Sequence, residues 1–227
     1  MELKLGDVQT TALIPLCIKA SETLRSNARI KDEKAVEIVK ALEIDTEPYD
    51  KFMSHEGVVA RTIMLDRMLS KLIEKSPDLA VVNVGAGLDN RFQRVDNGRI
   101  LWIDLDLPDA IAVRRKAFEE RERNILIEGS ALDDNWCDTA KEAIKDRKVV
   151  FIAEGLLMYF TLDEVAVFLT VLKNNFDKGI LFAEQNNPMM VKNQKYHDTV
   201  KNTNAEFKSG TKSGKETAAL VEGIHFV

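Results

Sequence analysis

The chain has 227 residues, 45% hydrophobic and 30% charged, enough apolar material for one substantial core and a better fit to one α/β domain than to two. Its formal net charge of -5 argues against nucleic-acid binding through a phosphate-neutralising surface, and no run of Lys and Arg with interleaved aromatics stands out. Cys17 and Cys137 lie far apart with no C-x-x-C partner, which excludes a disulfide scaffold and a zinc site and suits a reducing cytoplasm.

The N-terminal stretch MELKLGDVQTTALIPLCIKA is apolar only in short runs, broken by Pro15 and Lys19. It has neither a basic leader nor a small-residue cleavage pattern, so it does not read as a signal peptide. No window approaches the roughly 18 uncharged apolar residues that a membrane span requires. Residues 1–78 read as a helical extension. Between Glu56 and Ser76, the apolar positions Val58, Val59, Ile63, Met64, Met68, Leu72 and Ile73 recur close to a 3.6-residue period. Asp32 to Leu42 carries a weaker version of that stripe, and Pro48 and Pro77 punctuate the run.

From residue 79 to 227 the texture is that of a Rossmann-like core. LAVVNV (79–84), ILWIDL (100–105), NILIEG (124–129), KVVFIAE (148–154) and GILFAE (179–184) are continuous apolar runs of the kind found in parallel strands covered on both faces. Segments at 109–122, 134–146 and 162–176 have helical content. This alternation predicts an α/β fold with a doubly wound, mostly parallel sheet and right-handed crossovers. After Asn186 the stretch following Pro188 reads as helical and SGTKSGKE (209–216) as a linker or turn. VEGIHFV reads as the start or middle of a strand, which leaves open a natural chain that continues past Val227.

Two strand ends carry candidate chemistry. The first strand runs into Gly85-Ala86-Gly87, and glycine there permits a tight turn and close backbone approach to a ligand. The second ends in Asp104-Leu105-Asp106, about 20 residues on, where an acid can accept hydrogen bonds from a ribose diol. NAD and S-adenosyl-L-methionine both fit such a pair. The NAD fingerprint wants a third glycine where this chain has Asn90, and S-adenosylmethionine has no pyrophosphate to cradle, so the spacing favours the latter.

VVNVGAGLDNRF, WIDLDLP, SALDDNW and FIAEGLLMYF, in that order and with HEGVVARTIMLD (55–66) upstream, resemble the leucine carboxyl methyltransferase family, which includes bacterial O-methyltransferases related to polyketide carboxyl methyltransferases. The resemblance covers most of residues 10–185. It implies an S-adenosylmethionine-dependent O-methyltransferase acting on a carboxylate or hydroxyl of a small molecule. It also implies roles. Arg61 is similar to the family's arginine that pairs with the methionyl carboxylate, a bidentate match of guanidinium to carboxylate. Gly85 is similar to the glycine that contacts the cofactor, with Gly87 giving further backbone room. Asp106 matches the ribose-binding acid, with Asp104 as the alternative. Glu154 matches the glutamate near the methionyl end. Ser130, Ala131 and Leu132 fall where the family has an Asp-Leu pair flanking the adenine, and the missing Asp leaves backbone groups and Leu132 for that task.

Other residues have structural readings. Asp89, Asn90 and Arg91 cap or order the loop after the glycine turn. Trp102, Trp136, Leu156, Leu157 and Met158 read as packing, while Tyr159 is balanced between packing and the substrate pocket. None of His55, His197 and His225 sits in a motif that marks a catalytic base. Methyl transfer from a sulfonium is an in-line displacement whose leaving group is already activated, so the expectation is catalysis by proximity and orientation. Substrate contacts are expected from the N-terminal helices and residues 186–227. A nicotinamide-dependent oxidoreductase and a binding protein of the same fold without turnover are the rival readings, and the acceptor and oligomeric state are not specified.

Overall fold

The computed structural model describes residues 11–118, 122–199 and 205–227. Among the described residues three helices precede the sheet. The first, α1 (Leu13–Thr23), buries Ile14, Leu16 and Ile18 and tolerates Pro15 because the opening turn needs no N–H there. Asp32 caps α2 (Glu33–Ala41) by accepting from the Ala35 N–H at 3.0 Å. The long α3 (Phe52–Lys75) begins four residues before the expected 56–76 stripe. The reason lies far along the chain: Asp198 accepts from the N–H groups of Met53 at 2.9 Å and Ser54 at 3.2 Å, supplying the cap that Lys51 does not.

The sheet is built from β1 (Ala80–Val84), β2 (Leu101–Asp106), β3 (Asn124–Glu128), β4 (Val149–Ala153) and β5 (Gly179–Ala183). All neighbours are parallel, in the order β3-β2-β1-β4-β5, with Ala80 opposite Leu101 on one side and Val149 on the other. Between the strands lie α4 (Arg91–Val95), α5 (Pro108–Ala117), α6 (Cys137–Ile144) and α7 (Leu162–Asn175). Alternate residues of each strand point to opposite faces. Val82, Ile103 and Phe151 pack with Ala140 of α6 and Phe168 of α7, whereas Val81, Trp102 and Val150 pack with Leu69 of α3 and Phe92 of α4. Apolar helices therefore cover both faces, which is the doubly wound arrangement expected from the sequence. Trp102 and Trp136 are both fully buried.

Three expectations need correction. The predicted 109–122 helix ends at Ala117, where Phe118 turns extended (φ -122°, ψ 142°) and buries its ring beside α2; residues 119–121 lie outside the described residues. The helix after Pro188 is only α8 (Pro188–Lys192), followed by a 3-10 turn at Gln194–Tyr196. The chain then leaves helical geometry to cap α3 with Asp198, and residues 200–204 of that expectation lie outside the described residues. Finally, VEGIHFV is not a strand. A short α9 (Gly214–Ala218), capped by the Ser213 side chain, occupies the end of the expected linker, and the chain turns after it so that Leu220, Val221 and Ile224 pack against the core. Among the described residues no helix is long and apolar enough to cross a membrane.

Candidate active site

The strand order reverses between β1 and β4, and the carboxyl ends of β1, β2, β4 and β5 open on one cavity of about 510 Å³. Directly after β1, Gly85 and Gly87 take left-handed φ values of 67° and 50°. A Cβ at Gly85 would come within 3.0 Å of Leu156 Cδ1, and one at Gly87 within 3.2 Å of Ala12 Cβ, so both the backbone conformation and the space call for glycine. The N–H of Gly85 donates to the Leu105 carbonyl at 2.8 Å, tying the turn to the neighbouring strand tip. Asp106, at the end of β2, accepts from the Gly87 N–H at 2.7 Å and the Leu107 N–H at 2.8 Å. Burial pushes its carboxyl above the ordinary range, more strongly than these two bonds lower it.

A knot of charges closes the opposite wall. Arg61, on α3, gives Nε to Glu154 at 2.7 Å and Nη1 to both oxygens of Glu184 at 3.0 Å. Glu154 stands at the tip of β4 and Glu184 at the tip of β5, where Glu184 also accepts from the Gly155 N–H at 2.8 Å. The second oxygen of Glu154 takes Arg91 Nη2 at 2.6 Å. Fully buried Arg91 also reaches Asp66 at 2.6 Å and Asp89 at 3.1 Å. Asp89 is held in addition by Lys19 of α1 and by Arg94, which itself binds Asp66 and Asp32. Burial alone would push Glu154 up, but Arg91 and Arg61 hold it down at about 2, and Asp89 is held well below the usual carboxylate range by Arg91, Lys19 and Arg94. Five carboxylates thus face four cations, leaving the knot with an excess of negative charge. Among the described residues no acceptor is found for Arg61 Nη2.

The rest of the cavity is different in kind. Met53, Met158, Tyr159, Met190, Tyr196 and Phe207 line it, drawn from α3, the turn after β4, and the chain after β5. The Tyr159 and Phe207 rings lie 5.7 Å apart. Burial raises the Tyr159 hydroxyl's pKa, and a hydrogen bond with Thr11 only partly offsets this.

A model of the leucine carboxyl methyltransferase family matches residues 12–173, which span all of these strand tips except that of β5. The chain belongs to that family. It is 25% identical over 226 residues to the tetracenomycin polyketide synthesis O-methyltransferase TcmP of Streptomyces glaucescens, covering 99% of this chain and 83% of that one. It is 28% identical over 198 residues to the S-adenosyl-L-methionine-dependent methyltransferase dpfgK of Gibberella zeae, covering 79% of this chain and 65% of that protein. The fold is shared with an S-adenosylmethionine-dependent methyltransferase from Anabaena variabilis, at a TM-score of 0.53 and 12% identity over 71% of this chain and 70% of that one. As a leucine carboxyl methyltransferase family member, this chain is an S-adenosylmethionine-dependent enzyme rather than a nicotinamide oxidoreductase.

Of the positions singled out in the sequence, Arg61, Gly85, Gly87, Asp106 and Glu154 all line the one cavity. Ser130, Ala131 and Leu132 are not among its lining residues. They follow β3, where the Gly129 N–H donates to the Asp106 carbonyl at 2.9 Å, Ala131 is buried in the core and Ser130 Oγ accepts from the Leu132 N–H. Asp104, the alternative ribose ligand, is wholly buried. Its oxygens accept from Trp102 Nε1 at 2.8 Å, Asn83, Asn124 and Arg114, so it braces β1, β2, β3 and α5 from below. Asp89 and Arg91 are members of the charge knot as well as of the loop, and Asn90 makes no side-chain cap to α4. Sequence reasoning missed Glu184 and His197, which also line the cavity. Glu184 could have been found as the second acid to follow an apolar strand directly, the position that made Glu154 conspicuous. His197 left no signal of its place: its ring stands edge-on to Phe207 at 5.5 Å, and its Nδ1 accepts from the Thr199 N–H at 3.4 Å.

Proposed function

We propose that the enzyme methylates an oxygen atom of a small, largely apolar acceptor. The residues around the cavity fit the donor. Two left-handed glycines leave backbone open to an adenosyl group, Asp106 offers a carboxylate for the ribose diol, and the negative charge knot suits a ligand whose sulfonium and ammonium outnumber its carboxylate. In this reading Gly85 and Gly87 hold the nucleoside end, Asp106 binds the ribose, the open Nη2 of Arg61 takes the methionyl carboxylate, and Glu154 faces the ammonium. Ser130, Ala131 and Leu132 form an outer rim towards adenine. Bound there, S-adenosylmethionine supplies a methyl group on positively charged sulfur. The protein's own part is to align the acceptor oxygen with that methyl and to keep water out, through the apolar wall of Met158, Tyr159 and Phe207.

The observation that carries this reading is the meeting of the glycine turn, Asp106 and the Arg61–Glu154–Glu184 cluster on one cavity with an apolar far wall. The buried free thiols of Cys17 and Cys137 support a reducing, cytoplasmic setting. Calorimetry with S-adenosylmethionine, S-adenosylhomocysteine and NAD tests the donor site, with binding expected for the first two alone. A panel of carboxylic acids, phenols and alcohols tests turnover. Donor binding without methyl transfer to any of them leaves the rival reading, a binding protein of the same fold.

A further inference from the structure

On the reading above, we propose that Asn186 selects and positions the methyl acceptor, its side-chain N–H donating to a second oxygen that flanks the oxygen to be methylated. Among the described residues, Thr62 Oγ1, Trp136 Nε1 and Asn186 Nδ2 are buried side-chain atoms without a hydrogen-bond partner, and of these only Asn186 belongs to a residue that lines the cavity. A buried donor left unpaired costs the folded protein free energy, so one that stands at a binding cavity calls for a ligand that satisfies it. The backbone beneath it is fixed. The Asn186 N–H donates to Gln185 Oε1 at 3.1 Å, and the Asn186 carbonyl accepts from the Thr211 N–H at 2.9 Å. Gly210 permits that second pairing, since a Cβ there would lie 2.5 Å from the Asn186 carbonyl oxygen. Nδ2 has no such tie, so the amide is free to turn about its own bonds and meet an occupant of the cavity.

Asn186 stands where the two ends of the cavity meet. Glu184, whose carboxylate holds Arg61, is two residues earlier, at most about 7 Å along the chain. On its other side, the segment that clamps the Asn186 carbonyl runs back to Phe207 on the apolar wall, and the Lys208 N–H donates to the Met158 carbonyl at 2.8 Å. With the methionyl end at Arg61 and the acceptor's apolar body against Met158 and Phe207, the acceptor oxygen reaches the sulfonium methyl at this boundary. The attacking oxygen commits one electron pair to carbon, so the amide is better matched to a neighbouring oxygen. A carboxylate and a hydroxyl beside a ketone both supply that pair of oxygens. Holding the second oxygen fixes the direction of the first for in-line attack. In the step itself an electron pair of the first oxygen forms the O–CH3 bond, and the pair of the old S–CH3 bond stays on sulfur, which leaves as a neutral thioether. A carboxylate becomes a neutral ester, and a hydroxyl gives its proton to water.

The test compares 2-naphthoate and 1-hydroxy-2-acetonaphthone, which carry the second oxygen, with 1-naphthol, which does not. The wild type is expected to favour both two-oxygen acceptors, because a site with an unpaired donor discriminates against a ligand that leaves it unpaired. Asn186→Leu keeps the shape of the side chain and removes the amide. Its kcat/KM is expected to fall by about 10- to 100-fold on the two-oxygen acceptors and to change little on 1-naphthol. Its affinity for S-adenosylmethionine should stay the same, and its Tm should hold or rise, since the free protein loses no hydrogen bond of Nδ2. Asn186→Asp keeps the shape but presents a like charge to 2-naphthoate, so its loss there should exceed its loss on the hydroxyketone. Calorimetry of each acceptor with the S-adenosylhomocysteine complex should give the same ranking without turnover. A wild type that prefers 1-naphthol, equal losses on all three acceptors, no loss on any, or a lower Tm or weaker donor binding in Asn186→Leu would each overturn the role of Asn186 while leaving the methyltransferase reading intact. Failure of the wild type to bind the donor would sink that reading itself.

Discussion

Asp106 and Arg61 make the sharpest claims at the scale of single residues. Asp106→Ala is expected to weaken S-adenosylmethionine binding by about 1 to 3 kcal/mol through the lost diol contact, measured by calorimetry; an unchanged affinity would remove Asp106 from the site. Because burial raises the Asp106 pKa, donor affinity should also decline with acid earlier than an exposed aspartate would dictate. Arg61→Ala is expected to weaken S-adenosylmethionine while sparing adenosine, and equal losses for the two ligands would argue against its proposed pairing. Both residues were legible in the sequence, since each sits in a run that resembles the family. Choosing Asp106 over Asp104 was harder. Both follow apolar positions of the same strand, and only the depth of Asp104 beneath Asn83, Trp102 and Arg114 separates a brace from a ligand.

At the scale of elements, the clearest signals were those written locally. The five strands announced themselves as unbroken apolar runs, and α7 carries its own start signal. Thr161 accepts from the Glu164 N–H, and the Glu164 carboxylate accepts from the Thr161 N–H at 2.7 Å. Thr161→Ala should therefore cost about 1 kcal/mol in denaturant unfolding without changing donor affinity, because α7 packs on the face away from the charge knot. Elements defined by distant partners were illegible for the same physical reason. The start of α3 depends on Asp198, 144 residues beyond Ser54, and no short-range pattern encodes that pairing. The region after Pro188 misled in the opposite direction. Its composition suits a helix, yet beyond Asn193 the chain runs through a 3-10 turn and further turns that line the cavity, and tertiary contacts override a weak local preference.

For the whole molecule, the charge knot joins α1, α2, α3 and α4 to the tips of β4 and β5. Glu154 has a folded pKa of about 2 against an ordinary 4.5, so its contribution to stability is complete above pH 4.5 and disappears as pH falls towards 2. Asp89 acts in the same sense. Acid unfolding is expected to steepen in that window. Glu154→Gln should flatten it while lowering stability at pH 7 by about 1 to 3 kcal/mol, since two charge-assisted hydrogen bonds are weakened while Arg61 keeps Glu184 and Arg91 keeps Asp66 and Asp89. A denaturation series across pH checks both.

Among the described residues β5 has a strand neighbour on one side only, and Ile180 on it is 40% exposed. A strand edge of this kind, with an exposed apolar side chain, is a template for self-association, so high protein concentration should produce oligomers that grow through it. Light scattering over a dilution series would reveal them, and a lysine in place of Ile180 should suppress them without touching catalysis.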